Sequence, residues 1–155
     1  MLFGVHKQPV LTLHERHSRL LIAARPPSKH ADPMAKIMAK ILAPLPALWR
    51  QTVTFDNGTE FARHHRLHAL GIQTFFCDTH PPWQKGGVEN AIGRMRRTLP
   101  RKTDLAAVTN QQFAGLVRAY NNTPRKCLGF RTPAEVFRDQ VLHFKRESTF
   151  RPSPE

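Results

Sequence analysis

Two carboxylates in this chain stand where chemistry is done. Asp56 closes the short stretch TVTFD (52–56), and Glu89 sits near the start of GVENAIGRMRRTL (87–99). A carboxylate at a strand end and a second on the rim of a helix are hard oxygen ligands, which suit Mg²⁺ or Mn²⁺. With a third acid, such a set holds two metal ions. One activates a water or a 3′-hydroxyl, and the other stabilises the leaving oxygen of an in-line displacement at phosphorus. Gly93 and Arg96 follow Glu89 on nearly the same helical face. A small residue and a cation beside a carboxylate suit a phosphate backbone lying along the helix. Competing readings exist for both acids. Asn57-Gly58 within TFDNGTEF (54–61) is also a hairpin signal, because a type I′ turn needs φ > 0 at two successive positions. On that reading Asp56 is turn polarity, and Glu89 taken alone reads as a solvated residue of an amphipathic helix.

The elements around these acids decide between the readings. VLTLHE (10–15) and RLLIAARP (19–26) read as two strands of a hairpin. Asp32-Pro33 opens a helix, with Asp32 as the cap and Pro33 in the first turn. Its apolar stripe is Met34, Ile37, Met38, Ile41 and Leu42, and Pro44 and Pro46 end it. TVTFD is the next strand. EFARHHRLHALG (60–71) reads as a helix anchored by Phe61, Leu67 and Leu70 and stopped by Gly71. IQTFFCD (72–78) is a buried strand, and THPPWQKGG (79–87) is a loop. The helix over 87–99 buries Val88, Ala91, Ile92, Met95 and Leu99. Further helices cover 110–120 and a short stretch from Thr132-Pro133. Strands alternate with helices, so the class is α/β. A helix, not a matching strand, follows TVTFD, which favours a strand-end ligand over a hairpin. Residues 1–144 form one domain, and 145–155 form a polar, loose tail.

There are 24 Lys+Arg against 11 Asp+Glu, a formal charge of +13 spread along the whole chain. That balance points to a polyanionic partner, nucleic acid, whose phosphates bind with counterion release. Cys77 and Cys127 make no disulfide framework and suit a reducing compartment. No apolar run approaches the roughly 20 residues of a membrane span, and no targeting signal is evident. His64, His65 and His68, with Cys77 and His80, fit no closed zinc pattern and read as a surface or DNA-facing helix. Arg94, Arg96, Arg97, Arg101 and Lys102 are the densest basic run and read as phosphate contacts. The loop holding Trp83, Gln84 and Lys85 reads equally as a DNA contact and as a surface loop, with Gly86-Gly87 allowing it to move. Asn121, Asn122, Pro124 and Arg125 read as a structural turn between helices.

Taken in order, TFDNGTEF, THPPWQKGGVENAIGRMRR, LPRKTDL (99–105) and YNNTPRKCLGFRTPAEVF (120–137) resemble the catalytic core of DDE transposases. Within that group the chain is most similar to the insertion-sequence-thirty family of bacterial mobile elements, from about Leu11 to Phe137. The resemblance implies a ribonuclease-H-like fold: a mixed sheet flanked by helices, shared with retroviral integrases. It implies DNA transposition and integration by metal-dependent strand cleavage and transfer, with a two-metal site of Mg²⁺ or Mn²⁺. It makes Asp56 the second acid of the triad and Glu89 the third, and gives Gln84 and Lys85 a DNA-contacting place. The implied partners are DNA, at element ends and target, and further copies of the chain assembled on it. No membrane and no small-molecule substrate is implied, and the setting is the bacterial cytoplasm at the nucleoid.

The family's first acid lies on the first strand, ahead of the hairpin at 10–24. Only Glu15 and Asp32 precede Asp56 here. Glu15 falls in a HER-like stretch at the end of a strand, and Asp32 is a helix cap. Met1-Leu2-Phe3 resembles the trailing end of the first strand. The expectation is therefore a core truncated at its N-terminus, with most of its first central strand missing and negligible strand transfer by itself. The alternative function is a non-catalytic, DNA-binding or regulatory transposase fragment.

Overall fold

The computed structural model describes residues 2–3, 8–78, 86–100 and 102–149. β1 (Leu2–Phe3), β2 (Pro9–His14) and β3 (Leu21–Ala24) form one antiparallel sheet. Leu11 to His14 pair with Ala24 to Leu21, so the expected hairpin is present, with shorter strands. β1 meets β2 only at Leu2↔Val10 and Phe3↔Pro9. The β2–β3 turn is held by the Glu15 carboxylate, which accepts from the His17 N–H (2.8 Å), the Ser18 N–H (2.6 Å) and the Ser18 hydroxyl. This turn places Arg19 in the left-handed region, φ +63°.

β4 (Thr52–Phe55) and β5 (Gln73–Phe76) form a second sheet, parallel, with Phe55 opposite Phe76. Parallel neighbours need a crossover. Two 3₁₀ segments, Thr59–Phe61 and His64–Leu70, provide it where the sequence leads to one α-helix over 60–71. The spacing explains the difference. Phe61, His64, Leu67 and Leu70 recur every three residues, the period of a 3₁₀ turn and not that of an α-helix. Phe61 and Leu67 are buried on that line. Gly71, at φ +72°, ends the run in the left-handed region that a side chain rarely adopts.

Helices cover both faces of β2. Val10 packs with Leu21 against Ala91 and Met95 of α2 (Gly86–Thr98) and Leu99 just beyond its end, and Phe113 and Tyr120 of α3 (Asn110–Asn121) join that core. Leu11, one residue on and so on the opposite face, packs against Met34, Met38 and Leu42 of α1 (Ala31–Leu42), with Phe55, Leu67 and Ile72. Each fully buried side chain of this size stabilises the fold by about 1.5–3 kcal/mol. Of the expected stripes, Met34, Met38 and Leu42 of the first and Ala91, Met95 and Leu99 of the second are buried, while Ile37, Ile41, Val88 and Ile92 are half-buried at their edges.

Three helix ends differ from expectation. α1 starts at Ala31 with His30 as its cap residue, so Asp32 lies inside the first turn and makes no cap. Its carboxylate pairs with Arg66 (2.9 Å) and Arg63 (3.5 Å). Thr109 and Gln112 form a capping box on α3. α4 (Pro133–Thr149) is longer than the expected short helix and runs beyond residue 144. Trp49 pins it through edge contacts to Phe137 (5.0 Å between centroids) and Phe144 (5.4 Å).

Candidate active site

β4 brings Asp56 to its C-terminal end. Cys77 N–H donates to the Phe55 carbonyl (2.8 Å), and Asn57 Nδ2 donates to the Cys77 carbonyl (3.1 Å). The main-chain bond and the Asn57 amide thus bracket Asp56 and tie the strand end to its neighbour. Gly58 is extended, at φ −73° and ψ 138°, so no type I′ turn forms and Asn57-Gly58 is not a hairpin tip. Asp56 itself is exposed.

Glu89 lies in the first turn of α2 and is also exposed. Negative charge there is favoured by the helix dipole. α2 approaches β2 closely through Gly87, where an added Cβ would stand 3.2 Å and 3.3 Å from two atoms of the His14 ring. Gly87 therefore serves close packing, whereas nothing lies within 4 Å of a Cβ at Gly86. Burial, and then the Arg19 guanidinium, push the His14 pKa below its usual 6.5, so the ring under α2 is favoured in its neutral form.

Asp56, Glu89 and Arg96 line one cleft of about 1190 Å³, together with His14, Glu15 and Arg19. Glu89 and Arg96 are two helical turns apart on one face of α2, as the spacing predicts. Arg94, Arg97 and Lys102 are exposed and do not line this cleft. Gln84, Lys85, Trp83 and Arg101 lie outside the described residues. Glu15 lines the cleft, but its carboxylate is engaged in the β2–β3 turn. Among the described residues no group of three His, Cys, Asp or Glu is placed to hold a metal ion. Asp56 and Glu89 are of the right donor type for a hard cation, and they are two. The histidines of the 3₁₀ segment are spent differently: His64 Nδ1 and His68 Nε2 each hydrogen-bond Thr74 Oγ1 at 2.8 Å.

Sequence reading missed the role of Asn121. It is the last residue of α3, and its amide grips β3: Oδ1 accepts from the Leu21 N–H (2.9 Å) and Nδ2 donates to the Leu21 carbonyl (2.8 Å). Arg125, in the same turn, is buried, donates to the Tyr120 carbonyl (3.0 Å) and lies over the Tyr120 ring. The turn expected at 121–125 is thus a clamp. Cys77 is buried, Cys127 is exposed, and both are free thiols. No helix among the described residues is long and apolar enough to cross a membrane.

No protein-family model matches the chain. It is 38% identical over 139 residues to the transposase for insertion sequence element IS1086 of Cupriavidus metallidurans, covering 88% of this chain and 40% of that protein. It is 35% identical over 134 residues to the transposase InsI for insertion sequence element IS30A of Escherichia coli, covering 86% of this chain and 35% of that protein. The chain thus spans well under half the length of these relatives. The catalytic core domain of BIV integrase superposes with a TM-score of 0.68 at 20% identity, over 92% of this chain and 93% of that one. The ribonuclease-H-like fold of an integrase catalytic core is therefore the fold of this chain.

Proposed function

We propose that this chain, a relative of the insertion-sequence-thirty transposases with an integrase-core fold, is the catalytic-core segment of a DNA-cleaving and DNA-joining transposase. One observation carries the reading: Asp56 and Glu89, far apart in sequence, line the same cleft, with Arg96 on its wall. In this reading Asp56 and Glu89 are the catalytic acids and hold Mg²⁺ or Mn²⁺. When bound, the metal supplies charge stabilisation and an activated oxygen nucleophile for displacement at phosphorus. The chain's own groups orient the reaction. Asn57 fixes the strand end that carries Asp56, Gly87 lets α2 set Glu89 over β2, and Arg96 offers a guanidinium to a phosphate beside them. Arg94, Arg97 and Lys102 contact DNA outside the cleft, as do Gln84, Lys85 and Arg101. Copies of the chain assemble on element-end and target DNA, in the nucleoid of a bacterial cytoplasm.

A second reading, a DNA-binding fragment without catalysis, is favoured by the absence of a third ligand near Asp56 and Glu89 among the described residues. The same absence supports negligible strand transfer by residues 1–155 alone. Mn²⁺ titration followed by electron paramagnetic resonance, run beside DNA binding in EDTA, tests both readings. The catalytic-core reading expects Mn²⁺ binding that weakens at least tenfold in Asp56→Asn and in Glu89→Gln, with DNA binding in EDTA unchanged. Mn²⁺ binding indifferent to both substitutions, beside intact DNA binding, leaves the fragment reading. Absence of DNA binding defeats both.

A further inference from the structure

We propose that Phe130, at the tip of the turn between α3 and α4, is a wedge that stacks on an unpaired base of DNA. The inference rests on the DNA-acting reading above and adds to it a contact with the bases, away from the cleft. Phe130 is 72% exposed, more than any other large apolar residue among the described side chains, and its ring joins neither core cluster. It also holds φ at +63°, directly after Gly129 at +62°. Gly129 takes up that left-handed region freely, whereas a residue with a Cβ crowds the following carbonyl there. Position 130 thus carries two costs, an apolar ring in water and a left-handed backbone. Asparagine would lessen both. An outlier of this kind points to a side chain whose partner lies outside the fold.

The turn is built to hold the ring out. Phe130 N–H donates to the Arg125 carbonyl (2.9 Å), Arg131 N–H to the Leu128 carbonyl (3.2 Å) and Arg125 N–H to the Arg131 carbonyl (3.0 Å). The buried Arg125 side chain anchors the base of the turn on Tyr120. Beyond it Thr132 caps α4: Glu135 N–H donates to Thr132 Oγ1 (3.2 Å), and Thr132 N–H to the Glu135 carboxylate (2.7 Å). The surroundings choose DNA over a second protein surface. Arg118 in the last turn of α3, Lys126 and Arg131, which also pairs with Asp139, are exposed cations around this turn. A single ring among cations lacks the apolar, lysine-poor patch that a protein partner buries. It suits a DNA strand, whose phosphates take the cations while a base takes the ring. Apolar side chains that enter between base steps work in this way. A base already stacked on both faces has none to offer, so the ring selects DNA with an unpaired base.

The test uses the full 155-residue chain in EDTA, so that catalysis plays no part. Fluorescence anisotropy at one fixed salt concentration compares a fully paired duplex with the same duplex carrying a bulge of unpaired bases. The expected result is binding of the bulged duplex tighter by at least about fivefold, the contribution of one base stacked on an aromatic ring. Phe130→Asn suits the left-handed backbone, so it keeps or raises the thermal midpoint. It loses the preference for the bulge and keeps its affinity for the paired duplex, whereas Phe130→Trp retains the preference. The proposal alone is overturned if the unaltered chain binds both duplexes equally, or if Phe130→Asn keeps the preference. An equal loss on both duplexes also overturns it, because the ring then reads no base. Sedimentation of the free protein supplies the last outcome. A dimer that Phe130→Asn dissociates would seat a second copy on the ring and overturn the wedge. Failure to bind either duplex defeats the DNA-acting reading together with it.

Discussion

Glu15 and Asp56 are both carboxylates at a strand end on the wall of one cleft, and their surroundings give them different work. Burial alone would raise the Glu15 pKa, but hydrogen bonds from the Ser18 hydroxyl and the His17 and Ser18 amides outweigh it and hold the carboxyl below 4.5. The sign follows. A carboxyl with a depressed folded-state pKa adds stability that is fully present above about pH 4.5 and is lost as pH falls through its lower folded value. Glu15→Gln should therefore cost roughly 1 kcal/mol at neutral pH, one charge-assisted bond discounted for solvent screening. It should also flatten the acid limb of stability, with both effects read from urea midpoints between pH 3 and 7. An unchanged acid limb would mean that the turn does not depend on this carboxylate. The same contrast sets what sequence could reveal. Asp56 is legible because its place at a strand end is local. The hydrogen bonds of Asn57 to Cys77 and of Asn121 to Leu21 span 20 and 100 positions, and no local pattern announces them.

At the scale of elements, local periodicity carried most of the reading. The centres of the two expected stripes, Met34, Met38 and Leu42 and then Ala91, Met95 and Leu99, are buried with half-buried residues beside them, and the strand–crossover–strand order around Asp56 is parallel. The 3₁₀ crossover resembles an α-helix in sequence because a period-three line such as Phe61, His64, Leu67 and Leu70 also supplies some contacts at helical spacing. Gly86 and Gly87 show what composition hides. Both suggest a mobile hinge, yet only Gly87 is pressed against a neighbour. Gly86→Ala adds a methyl in open space and should be neutral or stabilise α2 by up to about 1 kcal/mol. Gly87→Ala must push the His14 ring by a few tenths of an ångström, offsetting the same propensity gain and tilting the helix that carries Glu89. Thermal midpoints and Mn²⁺ affinity of the pair read this directly: Gly86→Ala keeps both, whereas Gly87→Ala loses metal affinity. Equal behaviour of the two variants would remove the packing role given to Gly87.

Across the whole molecule, the charge of +13 overstates what is free for DNA, because several cations are committed to the fold. Arg25 donates to the Leu105 and Val108 carbonyls (2.9 and 2.6 Å) and to Asn110, tying the end of β3 to the start of α3. Arg50 donates to the Leu45 (2.9 Å) and Leu70 carbonyls, and Arg63 and Arg66 face Asp32. A count of basic residues cannot make this division, since it depends on which carbonyls the fold leaves for each guanidinium. The salt dependence of DNA affinity can. Each phosphate contact contributes about −0.9 to the slope of log affinity against log salt. Joint replacement of exposed Arg94, Arg97 and Lys102 by Ala should reduce that slope by up to ~2.7 if all three meet phosphates, with little change in thermal midpoint. Arg25→Ala should do the reverse: it leaves carbonyls of the α2–α3 connection without their donor, lowers the midpoint, and leaves the slope in place. Fluorescence anisotropy with a labelled duplex from 50 to 300 mM NaCl separates the two. A slope that the triple variant leaves intact would move the DNA-facing surface away from the exposed side of α2.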